Sequence, residues 1–267
     1  MDHQHVEACA PVPKLEMKGV SQTYQGARGT TVALATMSLK VAPGESLAIL
    51  GPSGCGKSTS LLLASGLRTP SEGKVLIDGE QVTGPRLATA LILQDFGLMP
   101  WKTVEQNAGL GLEVRKVPKT QRVQRVRDAL EQVGLEDFAT AYPAELSGGM
   151  RQRLAMARAL TCDIDLLLMD EPLSALDALL REEMQNMLKD TWCKAGYAQV
   201  LVTHSIEEAV YLGQRVVVMS PRPGKIIFEL DNAGMEQEDW RDAPEFFDRC
   251  RTLRSVLKEC EGGVSHA

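Results

Sequence analysis

A glycine-rich segment between two apolar runs most constrains what this chain can fold into. Residues 51–59 read Gly-Pro-Ser-Gly-Cys-Gly-Lys-Ser-Thr, which is the complete phosphate-binding loop pattern G-x-x-x-x-G-K-[ST]. Residues 46–50 before it predict a buried strand, and residues 61–63 after it predict the start of a helix. In this context the backbone N–H groups and the helix N-terminus can surround one anion, and an accidental glycine-rich turn is a poor alternative.

The side chains of this loop predict the binding of a nucleotide with a metal ion. Lys57 supplies a positive charge for the β- and γ-phosphates, and the Ser58 hydroxyl is placed to bind Mg²⁺. Cys55 allows two interpretations: a small residue that fits the loop, or a reactive thiol whose pKa Lys57 and the helix N-terminus lower. The predicted nucleotide contacts in the loop are Gly51, Pro52, Ser53, Gly54, Cys55, Gly56, Lys57, Ser58 and Thr59.

Length and composition narrow the class of protein. With 267 residues, 44% of them hydrophobic, the chain suits one large α/β domain or one that contains a smaller inserted subdomain. A net charge of −6 and only 4% aromatic residues argue against a general nucleic-acid binder. The six cysteines form no C-x-x-C pair, which favours reduced thiols in a cytosolic compartment. No signal-peptide pattern is visible, and no apolar run approaches the roughly 18 residues of a membrane span, so we expect any membrane role to depend on another subunit.

The pattern of elements predicts two architectures in succession. Residues 14–50 read as short strands with turns, residues 75–77 as a strand, and residues 90–93 as a short buried strand that ends at Gln94. Residues 101–143 become helical, with valines and leucine at positions 123, 126, 130 and 133 at helical spacing. After residue 150, strands alternate with helices, which predicts a parallel sheet covered on both faces.

Two adjacent carboxylates follow the most apolar of these strands. Asp170 and Glu171 come directly after Leu-Leu-Leu-Met, at the carboxyl end where a parallel sheet carries its ligand crevice. Asp170 is suited to support Mg²⁺, directly or through another ligand, and Glu171 to polarise an attacking water. A solvated acidic pair is the alternative, which the apolar run before it disfavours.

A second helix start has the features of an anion site. Ser147 is a good N-cap, and Gly148 and Gly149 leave bare amides at the beginning of the helix that follows. One bound nucleotide rarely needs two such helix termini. A capped helix with a flexible entry explains this segment alone, but it does not explain the segment together with the phosphate-binding loop.

These motifs, in this order, resemble the nucleotide-binding subunit of an ATP-binding cassette (ABC) transporter over about residues 14–230. The segment at residues 146–152 resembles the signature sequence of that family, which is far more specific than a phosphate-binding loop. The resemblance implies an α/β fold: a P-loop NTPase ABC cassette with a RecA-like parallel-sheet core, an antiparallel β subdomain and an inserted helical subdomain at about residues 95–160. It implies an ABC ATPase domain at residues 14–232 and a short C-terminal extension of unknown role at residues 233–267.

The resemblance also implies roles for residues that would be weak signals alone. Two cassettes pair head to tail in this family, so Ser147, Gly148 and Gly149 of one chain would face the γ-phosphate held by Lys57 of the other. By the same resemblance, residues 174–177, which end at Asp177, match the loop that would cross this interface.

Three further residues take roles in the nucleotide site by the same resemblance. Gln94 would contact Mg²⁺ and the attacking water, and His204 would be the switch histidine near the γ-phosphate. Tyr24 would stack on adenine. The predicted catalytic residues are therefore Glu171, His204 and Gln94, the predicted metal ligands are Ser58, Gln94 and Asp170, and the cofactors are ATP and Mg²⁺.

Three stretches, residues 94–111, 112–115 and 219–224, are similar to importers of the nitrate, sulfonate and taurine type. The apolar residues at 96–101 would form a groove for a coupling helix of the membrane subunit, and a local hydrophobic hinge is the alternative. The implied partners are a second ATP-binding subunit, with a copy of this chain favoured, transmembrane permease subunits and, indirectly, a solute-binding protein, but no nucleic acid. The implied location is peripheral, on the cytoplasmic face of the inner membrane.

Two other classes of protein remain as alternatives. A soluble, non-transport ABC ATPase of translation or DNA repair typically carries two cassettes or a long coiled-coil insertion, and neither is visible here. An unrelated phosphate-loop kinase or GTPase does not explain the segment at residues 146–153 or His204. The sequence does not identify the transported solute.

Overall fold

Two sheets and a group of helices make up the molecule, whose computed structural model describes residues 11–26, 29–237 and 239–262. In chain order the strands are β1 (Leu15–Gly26), β2 (Gly29–Val41), β3 (Ser46–Leu50), β4 (Glu72–Ile77), β5 (Glu80–Gln81), β6 (Thr89–Ile92), β7 (Leu166–Asp170), β8 (Ala198–Thr203), β9 (Arg215–Met219) and β10 (Ile226–Asp231). The helices are α1 (Lys57–Ala64), α2 (Val104–Ala108), α3 (Leu110–Val114), α4 (Lys119–Gln132), α5 (Gly148–Leu160), α6 (Ala178–Ala195), α7 (Ile206–Leu212) and α8 (Pro244–Gly262).

The larger sheet has six strands in the order β10-β9-β3-β8-β7-β6. All neighbouring pairs from β9 to β6 are parallel, and only β10 is antiparallel. The buried side chains alternate between the two faces: on β3, Ala48 and Leu50 join one core cluster, whereas Leu47 and Ile49 join the other. The sheet is therefore covered on both faces, as the sequence predicts.

The smaller sheet is antiparallel, with the order β2-β1-β4-β5, and it packs with α1 against one face of the larger sheet. The prediction of short strands in residues 14–50 is wrong, because β1 and β2 have 12 and 13 residues. Register shifts between Met17 and Val20 and again near Gln22, together with Gly19 at φ 56°, interrupt the alternation that would mark a long strand.

Helices α2 to α5 form the predicted helical insertion around a core of their own. Val126, Leu130 and Val133 are buried there, but Val123 is 61% exposed, so one of the four predicted apolar positions does not belong to this core. Strand β6 is also less buried than predicted, since Thr89, Ala90 and Leu91 are half-buried. The physical reason is that β6 lies at the edge of the sheet.

The segment after residue 232 packs on the main core. Asn232 donates hydrogen bonds to the carbonyls of Val210 (2.7 Å) and Gly213 (2.6 Å), and the Trp240 indole N–H also donates to Val210 (2.9 Å). On α8, Phe246 and Leu253 are buried in the same cluster. These hydrogen bonds and apolar contacts fix the extension to the end of α7. The domain boundary at residue 232 stays a prediction. Across the described residues, no helix is both long and apolar enough to cross a membrane.

Candidate active site

The carboxyl ends of four adjacent parallel strands bring the predicted site together. Strand β3 leads into the phosphate-binding loop, β7 ends at Asp170 and Glu171, β8 precedes His204, and β6 is followed closely by Gln94. A cavity of about 640 Å³ lies at this edge. Predicted residues that line it are Tyr24, Ser53, Gly54, Gly56, Lys57, Ser58, Thr59, Gln94, Glu171 and His204, and they are joined by Thr31, Ala33 and Arg222.

The loop reaches its shape because glycine occupies its tightest point. Gly56 has φ 105°, a backbone conformation that other residues rarely adopt, and a Cβ there would lie 2.5 Å from Leu34 Cδ2. Both the backbone conformation and the lack of space therefore require glycine. Lys57, which is only 5% exposed, donates from Nζ to the carbonyls of Gly51 (2.8 Å) and Pro52 (3.1 Å). Its ammonium is thus held inside the curve of the loop, where an anion would be bound.

Ser58 lines the cavity, and the buried Asp170 lies behind it. The Ser58 hydroxyl donates to Asp170 Oδ1 at 3.0 Å. Burial is the largest influence on Asp170 and raises the pKa of its carboxyl, outweighing the hydrogen bond from Ser58, which lowers it. A hydroxyl, a buried carboxyl and the nearby Gln94 amide are hard oxygen donors, which fit Mg²⁺.

Glu171 and His204 contact each other at the rim of the cavity. His204 Nδ1 lies 3.2 Å from Glu171 Oε1. Glu171 has φ 48°, and its backbone is fixed because its N–H donates to Val202 O (3.0 Å) and its carbonyl accepts from Gln152 Nε2 (3.2 Å). The carboxylate and the imidazole are therefore positioned by two adjacent strands, and together they can orient a water molecule.

Tyr24 lies at the other end of the cavity. Its hydroxyl is 3.2 Å from Thr59 Oγ1, and the Arg68 guanidinium lies over the ring, 4.7 Å from its centroid. The ring is half-buried and lines the cavity. A flat base could therefore contact it, and its role toward adenine stays a prediction.

For Cys55 the structure favours a small residue that fits the loop over a reactive thiol. The side chain is 1% exposed. Burial, the largest influence, raises the pKa of its thiol, and the opposing effect of Lys57 is smaller. A buried thiol with a raised pKa is a poor nucleophile, so Cys55 is a small packing residue of the loop.

The second predicted anion site lies outside this cavity. The Ser147 hydroxyl accepts from Met150 N–H (3.2 Å) and caps α5, as predicted. Gln152 Oε1 accepts from Ala175 N–H (3.1 Å), so α5 is joined to the loop that precedes Asp177. Ser147 and Asp177 are exposed, and neither they nor the two glycines line the cavity of their own chain.

Sequence reasoning missed two charged residues near the site. Arg222 lines the cavity, and its only signal is its place in the Pro-Arg-Pro-Gly turn after an apolar strand. Glu208 is 4% exposed, four residues after His204. Burial raises its pKa to about 7, despite the hydrogen bond from Thr203. An acid in the first turn of a helix usually faces solvent, which is why the sequence does not mark it.

Comparison with known proteins shows which family the chain belongs to. The family model described as ABC transporter matches residues 34–174. An uncharacterized ABC transporter ATP-binding protein of Methanocaldococcus jannaschii is 42% identical over 92% of each chain. The taurine import ATP-binding protein TauB of Pseudomonas aeruginosa is 45% identical over 81% of this chain and 82% of its own length. The nitrate import ATP-binding protein NrtD of Synechocystis sp. is 40% identical over 91% and 95%.

A solved structure is similar over most of its length as well. The ATP-binding cassette MJ0796, in a dimeric post-hydrolysis state bound to ADP and Pi, superposes with a TM-score of 0.76 at 32% identity, covering 82% of this chain and 98% of that one. The chain therefore belongs to the ABC transporter family, as an ATP-binding subunit that hydrolyses ATP.

Proposed function

We propose that this chain drives an importer for small oxyanions of the nitrate or sulfonate type. The importer class is supported by relatives named for the import of taurine and of nitrate, at 45% and 40% identity. The observation that carries the ATPase mechanism is the contact between Glu171 and His204 at the rim of the cavity that contains the phosphate-binding loop.

In this proposal the loop and Tyr24 hold ATP between them. Tyr24 stacks on adenine, while the loop amides and Lys57 bind the phosphates. Ser58 and Gln94 would hold Mg²⁺, with Asp170 behind Ser58. When bound there, Mg²⁺ would supply positive charge that offsets the charge of the phosphates.

Hydrolysis requires a water molecule placed in line with the terminal phosphate. Glu171 accepts its proton, and His204, 3.2 Å from that carboxylate, fixes the orientation of the acid. A second ATP-binding subunit, in the simplest case a copy of this chain, supplies Ser147, Gly148, Gly149 and Asp177 across the interface. This explains why Ser147 and Asp177 are exposed and why all four residues lie outside the cavity of their own chain.

The segment after Gln94 is suited to contact a permease subunit. Arg158 donates to the carbonyls of Phe96 and Gly97, both at 2.6 Å, and buried Asn107 binds both the N–H (2.8 Å) and the carbonyl (3.1 Å) of Met99. These bonds fix the backbone and leave the Trp101 side chain 71% exposed. A preformed backbone that presents a large aromatic is typical of a docking surface.

A groove of about 770 Å³ lies over the helical insertion, and it is lined from Lys102 onward rather than by the predicted residues 96–101. Val123, Val126 and Leu130 give it apolar contacts, and Lys102, Glu113 and Arg122 are among its polar lining residues. We propose that an amphipathic coupling helix of the permease occupies it, which also explains the exposed Val123. Through this contact the subunit would be a peripheral protein on the cytoplasmic face of the membrane, and a solute-binding protein would act on it only through the permease.

Solubilised membranes test this proposal directly. The native complex purified through a tagged copy of this chain should contain its permease, identified as the integral membrane protein that also stimulates ATP hydrolysis. Trp101→Ala and Val123→Asp should lose the permease but keep ATP binding, whereas Phe247→Ala, 55% exposed on α8, should keep both. Cells that carry Glu171→Gln should fail to take up taurine or nitrate. Recovery of ribosomes or DNA in place of a permease would instead support the soluble, non-transport alternative.

A further inference from the structure

A fifth parallel strand also ends at the edge that carries the active site. Strand β9 pairs with β3 in parallel, with Leu50 opposite Val218, and the chain then turns through residues 220–225 into β10. This turn presents Arg222 on the side of the loop opposite to β8. Ligands of a parallel sheet bind at the carboxyl ends of its strands, so a cation there is placed to act on the same ligand.

The turn is built against the phosphate-binding loop. Gly224 N–H donates to Ala33 O, and Ala35 N–H donates to Gly224 O, both at 3.0 Å, which joins the turn to β2. A Cβ on Gly224 would lie 1.8 Å from the carbonyl oxygen of Cys55. Only glycine permits this approach, and the position of Arg222 is therefore set by the loop itself.

The guanidinium of Arg222 is held by the loop in the same way as the ammonium of Lys57. Arg222 Nε donates to Gly54 O at 3.3 Å, and Lys57 Nζ donates to the carbonyls of Gly51 and Pro52. Within the described residues, Gly54 is the hydrogen-bond partner of Arg222, and no carboxylate pairs with it. Lys57 and Arg222 thus line one cavity, and each donates hydrogen bonds to uncharged carbonyls. A bound anion would take the place of these carbonyls as hydrogen-bond acceptor.

We propose that Arg222 contacts the terminal phosphate of ATP bound to its own chain. This rests on the assignment of the cavity to ATP. In such a loop the lysine reaches the β- and γ-phosphates, and here Lys57 Nζ donates hydrogen bonds to the carbonyls of Gly51 and Pro52. The first half of the loop would therefore surround these outer phosphates. On binding, the guanidinium exchanges Gly54 O for phosphate oxygens, for which its planar set of donors is better suited than an ammonium.

Equilibrium binding of ATP and ADP to the purified full chain tests the proposal. Arg222→Gln should weaken ATP binding on the order of 3- to 10-fold, a modest loss because the side chain is exposed. The loss for ADP should be smaller, and the salt dependence of ATP binding should decrease. Arg222→Lys should lie between the wild type and Arg222→Gln.

Lys225→Gln is the matched control, since it removes the same charge from an exposed position of the same turn that does not line the cavity. Lys57→Ala serves as the reference for loss of the loop. If Arg222→Gln behaves like Lys225→Gln, or weakens ATP and ADP equally, the assignment to the terminal phosphate is wrong even though Lys57→Ala behaves as expected. If Lys57→Ala also leaves ATP binding unchanged, the assignment of the cavity itself fails.

Discussion

Two glycine-rich helix starts in this chain look alike in sequence but differ in their surroundings. The start of α1 is enclosed, with Lys57 5% exposed, and it shares a cavity with Tyr24 and His204. The start of α5 is open: Ser147 is exposed, and Gly148 and Gly149 do not line this cavity. Both could bind an anion at bare backbone amides, but the first lies among other residues of its own chain that line the same cavity.

The nearby cations make the same distinction. Beside the α5 start, Arg151 donates to Leu146 O (2.7 Å) and Arg153 donates to Gly134 O (3.2 Å). These guanidinium groups bind backbone carbonyls within the helical insertion. By contrast, Lys57 and Arg222 donate hydrogen bonds to loop carbonyls, and both residues line the cavity. In the proposed mechanism, the start of α1 holds the phosphates, and a second chain brings its own α5 start to them.

The largest expected effect concerns the enclosed region. Glu171→Gln should lower kcat by a factor of about 10²–10⁴, because the general base is lost while the shape of the cavity is kept. ATP should still bind, and size-exclusion chromatography with ATP and Mg²⁺ should show a stable dimer that the wild type forms only transiently. Glu183→Gln, an exposed acid on α6, is the control. Turnover of Glu171→Gln close to that of the wild type would exclude this carboxylate as the base.

The second prediction tests whether the open region acts in another chain. Lys57→Ala removes the loop cation, and Gly148→Asp adds a carboxylate to the α5 start, where a Cβ meets only Ala175 Cβ at 4.0 Å. Each variant alone should be nearly inactive. In a two-fold symmetric dimer a mixed pair contains one intact site, so mixing the two should restore about a quarter of wild-type ATPase activity.

Titrating one variant against the other at constant total protein supplies the measurement. Activity should be highest near equal amounts and should fall toward either pure variant. A mixture that shows only the sum of the separate activities would mean that the α5 start serves its own chain. Gly148→Ala, which adds a methyl group without charge, should retain most activity and shows that the carboxylate causes the loss.

The same comparison explains how much of the site the sequence predicts. The phosphate-binding loop and the pair Asp170 and Glu171 each directly follow an apolar run that predicts a buried strand. Parallel strands place their carboxyl ends on one edge of the sheet, so the sequence pattern alone predicts that these residues lie close together. Gln94, His204 and Tyr24 are weak single signals, and only resemblance to the family selects them.

Arg222 and Glu208 escape sequence analysis because their positions depend on tertiary packing. Arg222 reaches the cavity only because the turn of β9 and β10 rests on the loop. Glu208 is buried because α7 packs against β3 and the core beneath it. The sequence predicts strands shorter than β1 and β2 for a related reason. Bulges interrupt the alternation of apolar and polar residues by which a long strand is recognised.

The smallest predicted effect separates the two regions by their response to pH. Residues 147–150 contain no ionisable side chain, whereas Glu208 is buried behind His204. A hydrogen bond from Thr203 lowers the pKa of its carboxyl, and Arg181, His204 and Glu171 are the ionisable groups that influence this pKa. The Thr203 hydroxyl also accepts from Ser205 N–H at 3.0 Å, so this carboxyl is joined to both sides of the His204 turn.

Burial raises the pKa of Glu208 from 4.5 to about 7. As the pH rises through this window, the unfolded chain loses the proton first, so the group lowers the free energy of unfolding. The loss should be about 3 kcal/mol between pH 4.5 and 7.5, since a tenfold change in proton affinity corresponds to about 1.4 kcal/mol. Urea unfolding at pH 4.5, 6 and 7.5 should show a smaller decrease for Glu208→Gln than for the wild type, and exposed Glu207→Gln should follow the wild type. If the free energies of unfolding of Glu208→Gln and Glu207→Gln changed with pH in parallel, the carboxyl of Glu208 would be ionised at neutral pH. The surroundings of the α1 and α5 starts would then differ in shape but not in their response to pH.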